Sequence, residues 1–320
     1  MTAQAVALPA THAAHLRPFD PRRDLLAVAD LVELCFHDSL DADGRLYIQQ
    51  LRYSARAGSI TAFDRRRSER MSGYVWTEEG RVVGNLSLIP HQRGSRRVHL
   101  IANVAVHPDY RRRGIAQALT RAALADSGIR RSDEVWLQVD ERNAAAIHLY
   151  NNMGFEDMLR RTSWRGGAGT ATTAHPEGIM IRKSRDEDWR QQRTWLGRLY
   201  PDTVTWNLPL ELELLLPGWR GTFNRFFGER LVRQWAAQRD GQLLGVLSWQ
   251  SSVLSNDRLW LAAPEEVDLA GISALLRHVR AQEPLERSLA LNLPAGFMEA
   301  ALFESGFLPR RTLIWMRAHR

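Results

Sequence analysis

The stretch Val104-Ala-Val-His-Pro-Asp-Tyr-Arg-Arg-Arg-Gly-Ile-Ala116 reads as a strand that turns directly into a helix, with Gly114 in the first helical turn. The first N–H groups of a helix have no partners inside it, and the aligned peptide dipoles favour negative charge at that end. Gly114 removes a side chain that would hold a ligand away from the backbone, and Arg111, Arg112 and Arg113 add positive charge. The turn can therefore cradle a pyrophosphate. The plainer reading is a solvated basic loop at a helix start.

Upstream, Leu16 to Phe19 reads as a short strand, Asp24 to Phe36 as an amphipathic helix, and Leu46 to Ala57 as a less regular helix. Gly73 to Trp76, Val82 to Ile89 and Val98 to Val106 follow as strands, the first two joined at Glu78-Glu-Gly80. Downstream come a helix from Gly114 to Ala125, a strand from Glu134 to Val139, a helix from Asn143 to Asn152 and a strand from Glu156 to Trp164. This order predicts an α/β layer fold with a mixed, mostly antiparallel sheet flanked by helices.

The 320 residues favour two domains. A Gly/Thr/Ala run from Arg165 to Gly178 has no hydrophobic period and marks a linker at 166–178. Across it the chain repeats itself weakly: Glu79-Gly80-Arg-Val-Val-Gly84-Asn-Leu-Ser87 resembles Asp240-Gly241-Gln-Leu-Leu-Gly245-Val-Leu-Ser248, and Met153-Gly154-Phe155 resembles Ser305-Gly306-Phe307. The expected domains are 1–165 and 179–320, a duplication rather than a solenoid.

Composition narrows the function classes. Hydrophobic residues are 44% and charged residues 25%, no segment is long and apolar enough to span a membrane, and the N-terminus lacks a charged secretory start, so a cytoplasmic location is expected. Cys35 is the only cysteine, which rules out intrachain disulfides and a multi-thiolate metal site. The net charge of +7 comes almost wholly from arginine, Lys183 being the single lysine, and the excess is spread along the chain, so nucleic acid is not the expected partner. His107 and His148 lack a convergent second ligand, and no metal is expected.

Val104 to Ala116 resembles the acetyl-CoA-binding motif of the GNAT superfamily, whose pattern Arg/Gln-x-x-Gly-x-Gly/Ala is met by Arg111, Gly114 and Ala116. Leu137-Gln-Val-Asp-Glu-Arg-Asn143-Ala-Ala-Ala-Ile-His-Leu-Tyr150-Asn-Asn-Met-Gly-Phe155 resembles the second motif of that superfamily. The resemblance implies a GNAT fold over about 15–165 and an acetyl-CoA-dependent N-acetyltransferase, in which a primary amine of a small molecule or peptide attacks directly in a ternary complex. It further implies that Val104, Ala105 and Val106 meet the pantetheine, that the N–H groups of Arg112, Arg113, Gly114, Ile115 and Ala116 take the pyrophosphate, that Arg111 and Gln117 also belong to the cofactor site, and that Asn143 contacts the cofactor arm. Tyr150 stands where the superfamily places its general acid. The strand position that often carries a glutamate base is Gln138, which cannot serve; His99, Glu33, Asp140 and Glu141 remain as candidates, and a water relay would need none of them.

The second half keeps the outline and loses the chemistry. Where the phosphate turn should stand it reads Ala263-Pro-Glu-Glu-Val-Asp-Leu269, and Ala295 and Leu302 replace Asn143 and Tyr150. It resembles a GNAT domain that no longer binds cofactor. Eight of the eleven tryptophans lie there, with Trp206, Trp219, Phe223, Phe226 and Phe227 in an irregular segment that reads as core or as a wall for the substrate cleft. The rival readings are a non-catalytic acyl-CoA-binding or regulatory module and a nucleic-acid-associated protein; oligomeric state is not legible.

Overall fold

The computed structural model describes residues 14–40, 42–56, 72–126, 129, 131–167, 176–208, 210–216, 231–252, 255–282 and 287–318. Trp219, Phe223, Phe226 and Phe227, and residues 168–175 of the expected linker, lie outside the described residues. The chain divides into two compact units, one of residues 1–158 with 315–320 and one of residues 159–314.

The first unit runs β1 (Leu16–Pro18), α1 (Pro21–Phe36), α2 (Ala42–Arg56), β2 (Ser72–Glu78), β3 (Arg81–Arg93), β4 (Arg96–Val106), α3 (Ile115–Ala125), β5 (Glu134–Asp140), α4 (Ala144–Asn151) and the start of β6 (Phe155–Gly166). Its sheet order is β1-β2-β3-β4-β5. All pairs are antiparallel except β4 and β5. Alternation along β2 sends Val75 to one face, where it joins Val28, Leu31 and Val32 of α1, Ile48 of α2 and Ala105 of β4 in a buried cluster. Trp76 faces the other side with Gly84, beneath α3. A Cβ at Gly84 would lie 2.8 Å from Ile115 Cγ2, so glycine is what lets α3 settle on the sheet.

The second unit runs from within β6 through β7 (Ile179–Lys183), α5 (Trp189–Leu199), α6 (Asp202–Thr205), α7 (Leu212–Leu215), β8 (Val232–Arg239), β9 (Gln242–Gln250), β10 (Asn256–Ala262), α8 (Leu269–Gln282), β11 (Ser288–Pro294), α9 (Glu299–Glu304) and most of β12 (Phe307–Ala318). Its order is β7-β8-β9-β10-β11-β6-β12, with β10 and β11 parallel. β6 pairs antiparallel with β11 from Leu289 opposite Gly166 to Pro294 opposite Arg161. A strand belonging by sequence to the first half is thus an interior strand of the second unit.

The two units repeat several side-chain features. The hairpin turns carry Glu79 and Asp240 at φ 48° and 49°, each followed by a left-handed glycine, Gly80 or Gly241, as a tight two-residue turn demands. Gly245 repeats Gly84, since a Cβ there would lie 2.5 Å from Ile272 Cδ1 of α8. A further echo escapes the sequence comparison. Arg17 grips Asp24 through two hydrogen bonds of 2.6 and 2.7 Å, and Arg182 grips Asp188 through two of 2.7 and 2.8 Å. The first pair ties β1 to α1, and the second ties β7 to the N-cap residue of α5.

Burial alone would raise the Asp24 carboxyl, but the Arg17 fork and the Asp20 N–H outweigh it and hold it below the usual carboxylate range. A depressed value means the pair stabilises fully above the unfolded value of about 4 and loses its contribution as pH falls through the folded one. Asp24→Asn leaves Arg17 facing a neutral group and should cost about 3 kcal/mol at pH 7, with the difference from wild type shrinking below pH 4. Chemical denaturation at both pH values checks this.

Candidate active site

β4 and β5 are paired only from Val98 opposite Glu134 to Ile101 opposite Leu137. Beyond that point the two parallel strands part, and Ala102 to Val106 face no register partner on β5. On its other side β4 stays in register with β3, but with an irregularity: Ser87 faces Ala102 and Asn85 faces Ala105, so three steps on β4 match two on β3. This is a bulge at Asn103 and Val104, and Asn103 takes φ 50°, in the left-handed region. The buried Asn85 side chain donates from Nδ2 to the Asn103 carbonyl at 2.9 Å. Of the expected pantetheine residues, Ala105 is buried against α1, while Val104 and Val106 are half-buried at the opening.

The chain leaves β4 through a 3-10 turn at Pro108–Tyr110 and reaches α3 through Arg111, Arg112, Arg113 and Gly114, all exposed. Arg112 and Gly114 adopt φ 64° and 77°. Gly114 is the N-cap of α3 and provides no capping side chain; none of the N–H groups from Arg112 to Ala116 bonds to a described residue. A Cβ at Gly114 would meet nothing within 4 Å. The arginines brace the turn: Arg111 Nε donates to the Val106 carbonyl at 3.2 Å, Arg113 donates to the Asp109 carbonyl at 3.1 Å and lies 4.9 Å from the Tyr110 ring centroid. Ile115 spends its side chain on the sheet and offers only its N–H; Ala116 and Gln117 are half-buried in the same turn. Cys35 is half-buried and donates to the Val106 carbonyl at 3.3 Å; burial raises its thiol, against the opposing pull of Arg111.

Asn143 is the N-cap of α4, its Oδ1 accepting the Ala146 N–H at 3.1 Å, as its residue type suggests. Tyr150, further along α4, is 6% exposed and meets Phe155 edge to face at 5.9 Å. Burial pushes its hydroxyl up to about 12, above the ordinary phenol on which a simple acid role would rest. The candidate bases are engaged elsewhere or solvated. Glu33 accepts from Arg52 at 2.6 Å, Asp140 is held by Arg142 through two bonds of 3.0 Å, and His99 hydrogen-bonds Ser132 on the paired stretch of β4, away from the opening. Glu141 is exposed. Gln138, where β5 begins to diverge, has a buried Nε2 without a hydrogen-bond partner among the described residues. The described residues contain no group of three or more His, Cys, Asp or Glu side chains that could hold a metal ion, and no described helix is long and apolar enough to cross a membrane.

In the second unit the matching strands also part, since β10 and β11 are in register only from Asn256 opposite Ser288 to Arg258 opposite Ala290. There the opening is bridged from within. The Tyr200 hydroxyl accepts the Leu261 N–H of β10 at 3.3 Å, and the Arg161 guanidinium lies 5.2 Å from the Tyr200 ring centroid. Arg161 in turn donates to the Asn292 carbonyl of β11 at 2.7 Å and to Asn292 Oδ1 at 2.5 Å. Both bridging side chains are buried, and desolvation lowers Arg161 to about 10. A cavity of about 420 Å³ in this unit has Arg239, Asp240, Glu266 and Asp268 in its lining, with Arg239 paired to Asp268.

Residues 33–155, from the C-terminal part of α1 through the bulged strand, the arginine turn and α4, match the Acetyltransferase (GNAT) family. Among curated proteins it is similar to the ribosomal protein bS18-alanine N-acetyltransferase of Escherichia coli K12, 39% identical over 62 residues, which are 19% of this chain and 42% of that one. It is also similar to the mycothiol acetyltransferase of Thermobispora bispora, 48% identical over 52 residues, 16% of this chain and 18% of that one. The chain therefore spans less than half the length of these relatives. Two solved structures share the fold over nearly the whole chain. A GCN5-related N-acetyltransferase from Sphaerobacter thermophilus matches with a TM-score of 0.57 and 13% identity, covering 94% of each chain. A tandem GNAT protein from the clavulanic acid biosynthesis pathway matches with a TM-score of 0.50 and 18% identity, covering 95% of this chain and 98% of that one.

Proposed function

We propose that the chain is an acetyl-CoA-dependent N-acetyltransferase whose first unit transfers the acetyl group to a primary amine, of a small molecule or a peptide N-terminus, in a ternary complex. The observation that carries the reading is the pairing of a parted parallel strand pair with an uncapped, arginine-flanked helix start immediately after it. The N–H groups from Arg112 to Ala116 and the N-terminal dipole of α3 would hold the pyrophosphate, with Arg111, Arg112, Arg113 and Gln117 around it. The open space at Gly114 fits that use. Val104 and Val106 would offer backbone groups to the pantetheine as to an added strand, with Ala105 anchoring β4 to the core. Asn143, its Oδ1 engaged in the cap, has its Nδ2 left for the cofactor arm.

Bound acetyl-CoA supplies an acyl group already activated as a thioester. Tyr150 keeps its proton across the neutral range and would hold a hydrogen bond on the departing sulfur. No side chain is assigned as base; the amine would react from its neutral fraction or through water. The non-catalytic acyl-CoA-binding reading draws on the burial of Tyr150, and the two readings separate in an acetyl-CoA consumption screen over amines, polyamines, amino acids, aminoglycosides and peptide N-termini. Turnover with one acceptor class supports the enzyme; binding without turnover across the panel supports the module. A cytoplasmic location is part of the proposal.

The second unit is proposed as a supporting domain without a cofactor of its own. Tyr200 and Arg161 bridge the parted strands, and Glu265, Glu266 and Asp268 stand where arginines would be needed. Calorimetric titration should give one acetyl-CoA per chain; a stoichiometry near two would overturn the assignment.

A further inference from the structure

A bulge takes two residues out of the ladder, and the carbonyl it frees must find another donor or pay for its burial. Here the donor is Asn85, an amide at 1% exposure within the otherwise apolar run Val82-Val-Gly-Asn-Leu86 of β3. A buried amide there costs stability unless both of its N–H groups are used; Nδ2 reaches the Asn103 carbonyl at 2.9 Å and Ser87 Oγ at 3.4 Å. The Asn103 carbonyl and the Val104 N–H belong to the same planar trans peptide and point in opposite directions. Fixing the carbonyl toward Asn85 therefore turns the Val104 N–H away from β3, to the side from which β5 has parted.

We propose that Asn85 is a positioning residue: by holding the bulge peptide through its carbonyl, it aims the Val104 N–H at the acyl carbonyl of the bound thioester. The proposal rests on the acetyl-CoA reading above and adds to it which residue sets the direction of that donor. The carbonyl oxygen gains charge as the amine adds, so a donor already aimed at it lowers the barrier without reorganising. It also grips the thioester in the ground state. CoA with a free thiol lacks that oxygen, so the contact should show as tighter binding of acetyl-CoA than of CoA.

The test compares calorimetric affinities for acetyl-CoA and CoA in wild type and in Asn85→Leu, which keeps the bulk and removes the donor, alongside thermal unfolding. Wild type should favour acetyl-CoA by roughly threefold to tenfold, the range of one neutral hydrogen bond. Asn85→Leu should lose that preference while its CoA affinity stays within about twofold, a split that a general loosening of the sheet would not produce. If Asn85→Leu does not fold, Asn85→Ser, too short to reach the carbonyl, should give the same selective loss. A preference kept in a folded variant overturns the assignment of Asn85. Equal wild-type affinity for the two ligands overturns the thioester contact. A wild type that binds neither overturns the acetyl-CoA reading and the proposal with it.

Discussion

Gly114→Glu is expected to weaken acetyl-CoA binding by more than about a hundredfold while the protein still folds. The side chain would stand at the first turn of α3, where the N–H groups from Arg112 to Ala116 bond to no described residue. A carboxylate roughly 4 Å from a pyrophosphate charge costs about 4 kcal/mol at an effective dielectric near 20, enough by itself for a loss of that size. Folding should suffer less. The position has φ 77° and open space around a Cβ, so the cost is that of a left-handed non-glycine residue, about 1–2 kcal/mol. Gly114→Asn separates the two effects, because asparagine tolerates the left-handed region and brings no charge. It should keep most of the affinity at a smaller cost in melting temperature. Retained acetyl-CoA affinity in folded Gly114→Glu would remove the cradle from this turn.

Tyr150→Phe should slow the chemical step by roughly 10²-fold, with acetyl-CoA affinity nearly unchanged. Only the hydroxyl is lost, and the edge-to-face contact with Phe155 survives. The magnitude follows from the acidity of the phenol. Burial pushes it to about 12, whereas a thiol has an ordinary value of about 8.5, so complete proton transfer to the sulfur runs uphill by several units. What the hydroxyl can supply is a short hydrogen bond to charge developing on sulfur, placing the loss at the low end of general acid effects. The same shift fixes the pH dependence. The hydroxyl stays protonated until pH approaches 12, so wild type should show no alkaline fall in the chemical step below about pH 10 that is absent from Tyr150→Phe. Pre-steady-state rates with a confirmed acceptor measure both, and an unchanged rate in the variant would dismiss Tyr150 from the reaction.

Local order was legible along the chain, and pairing at a distance was not. The strand, turn and helix around Gly114 announce themselves through residue types with strong local preferences, as do the Asn143 cap and the Glu79-Gly80 and Asp240-Gly241 turns. The boundaries shifted by a few residues where caps decide them: Asp20 starts α1 at Pro21, ahead of the apolar stripe. The β4 bulge left one trace, a polar Asn85 in an apolar strand, which has meaning only once its partner 18 residues away is known. Tyr200 and Arg161 left none, since an aromatic after a helix and an arginine in a strand are ordinary. The bridge they form joins residues that only the tertiary fold brings together.

The route of β6 bears on where such a chain can be cut. Composition places the seam at the glycine-rich run after Arg165, yet residues 161–166 are hydrogen-bonded to β11, and residues 315–320 return to the first unit. Scission at the seam would give one product a β6 segment severed from its ladder partner and the other a β11 with an unsatisfied edge, the kind of surface that recruits foreign strands. A cut at the glycine-rich run therefore does not fall between the two units; it falls inside the second, which begins at Leu159.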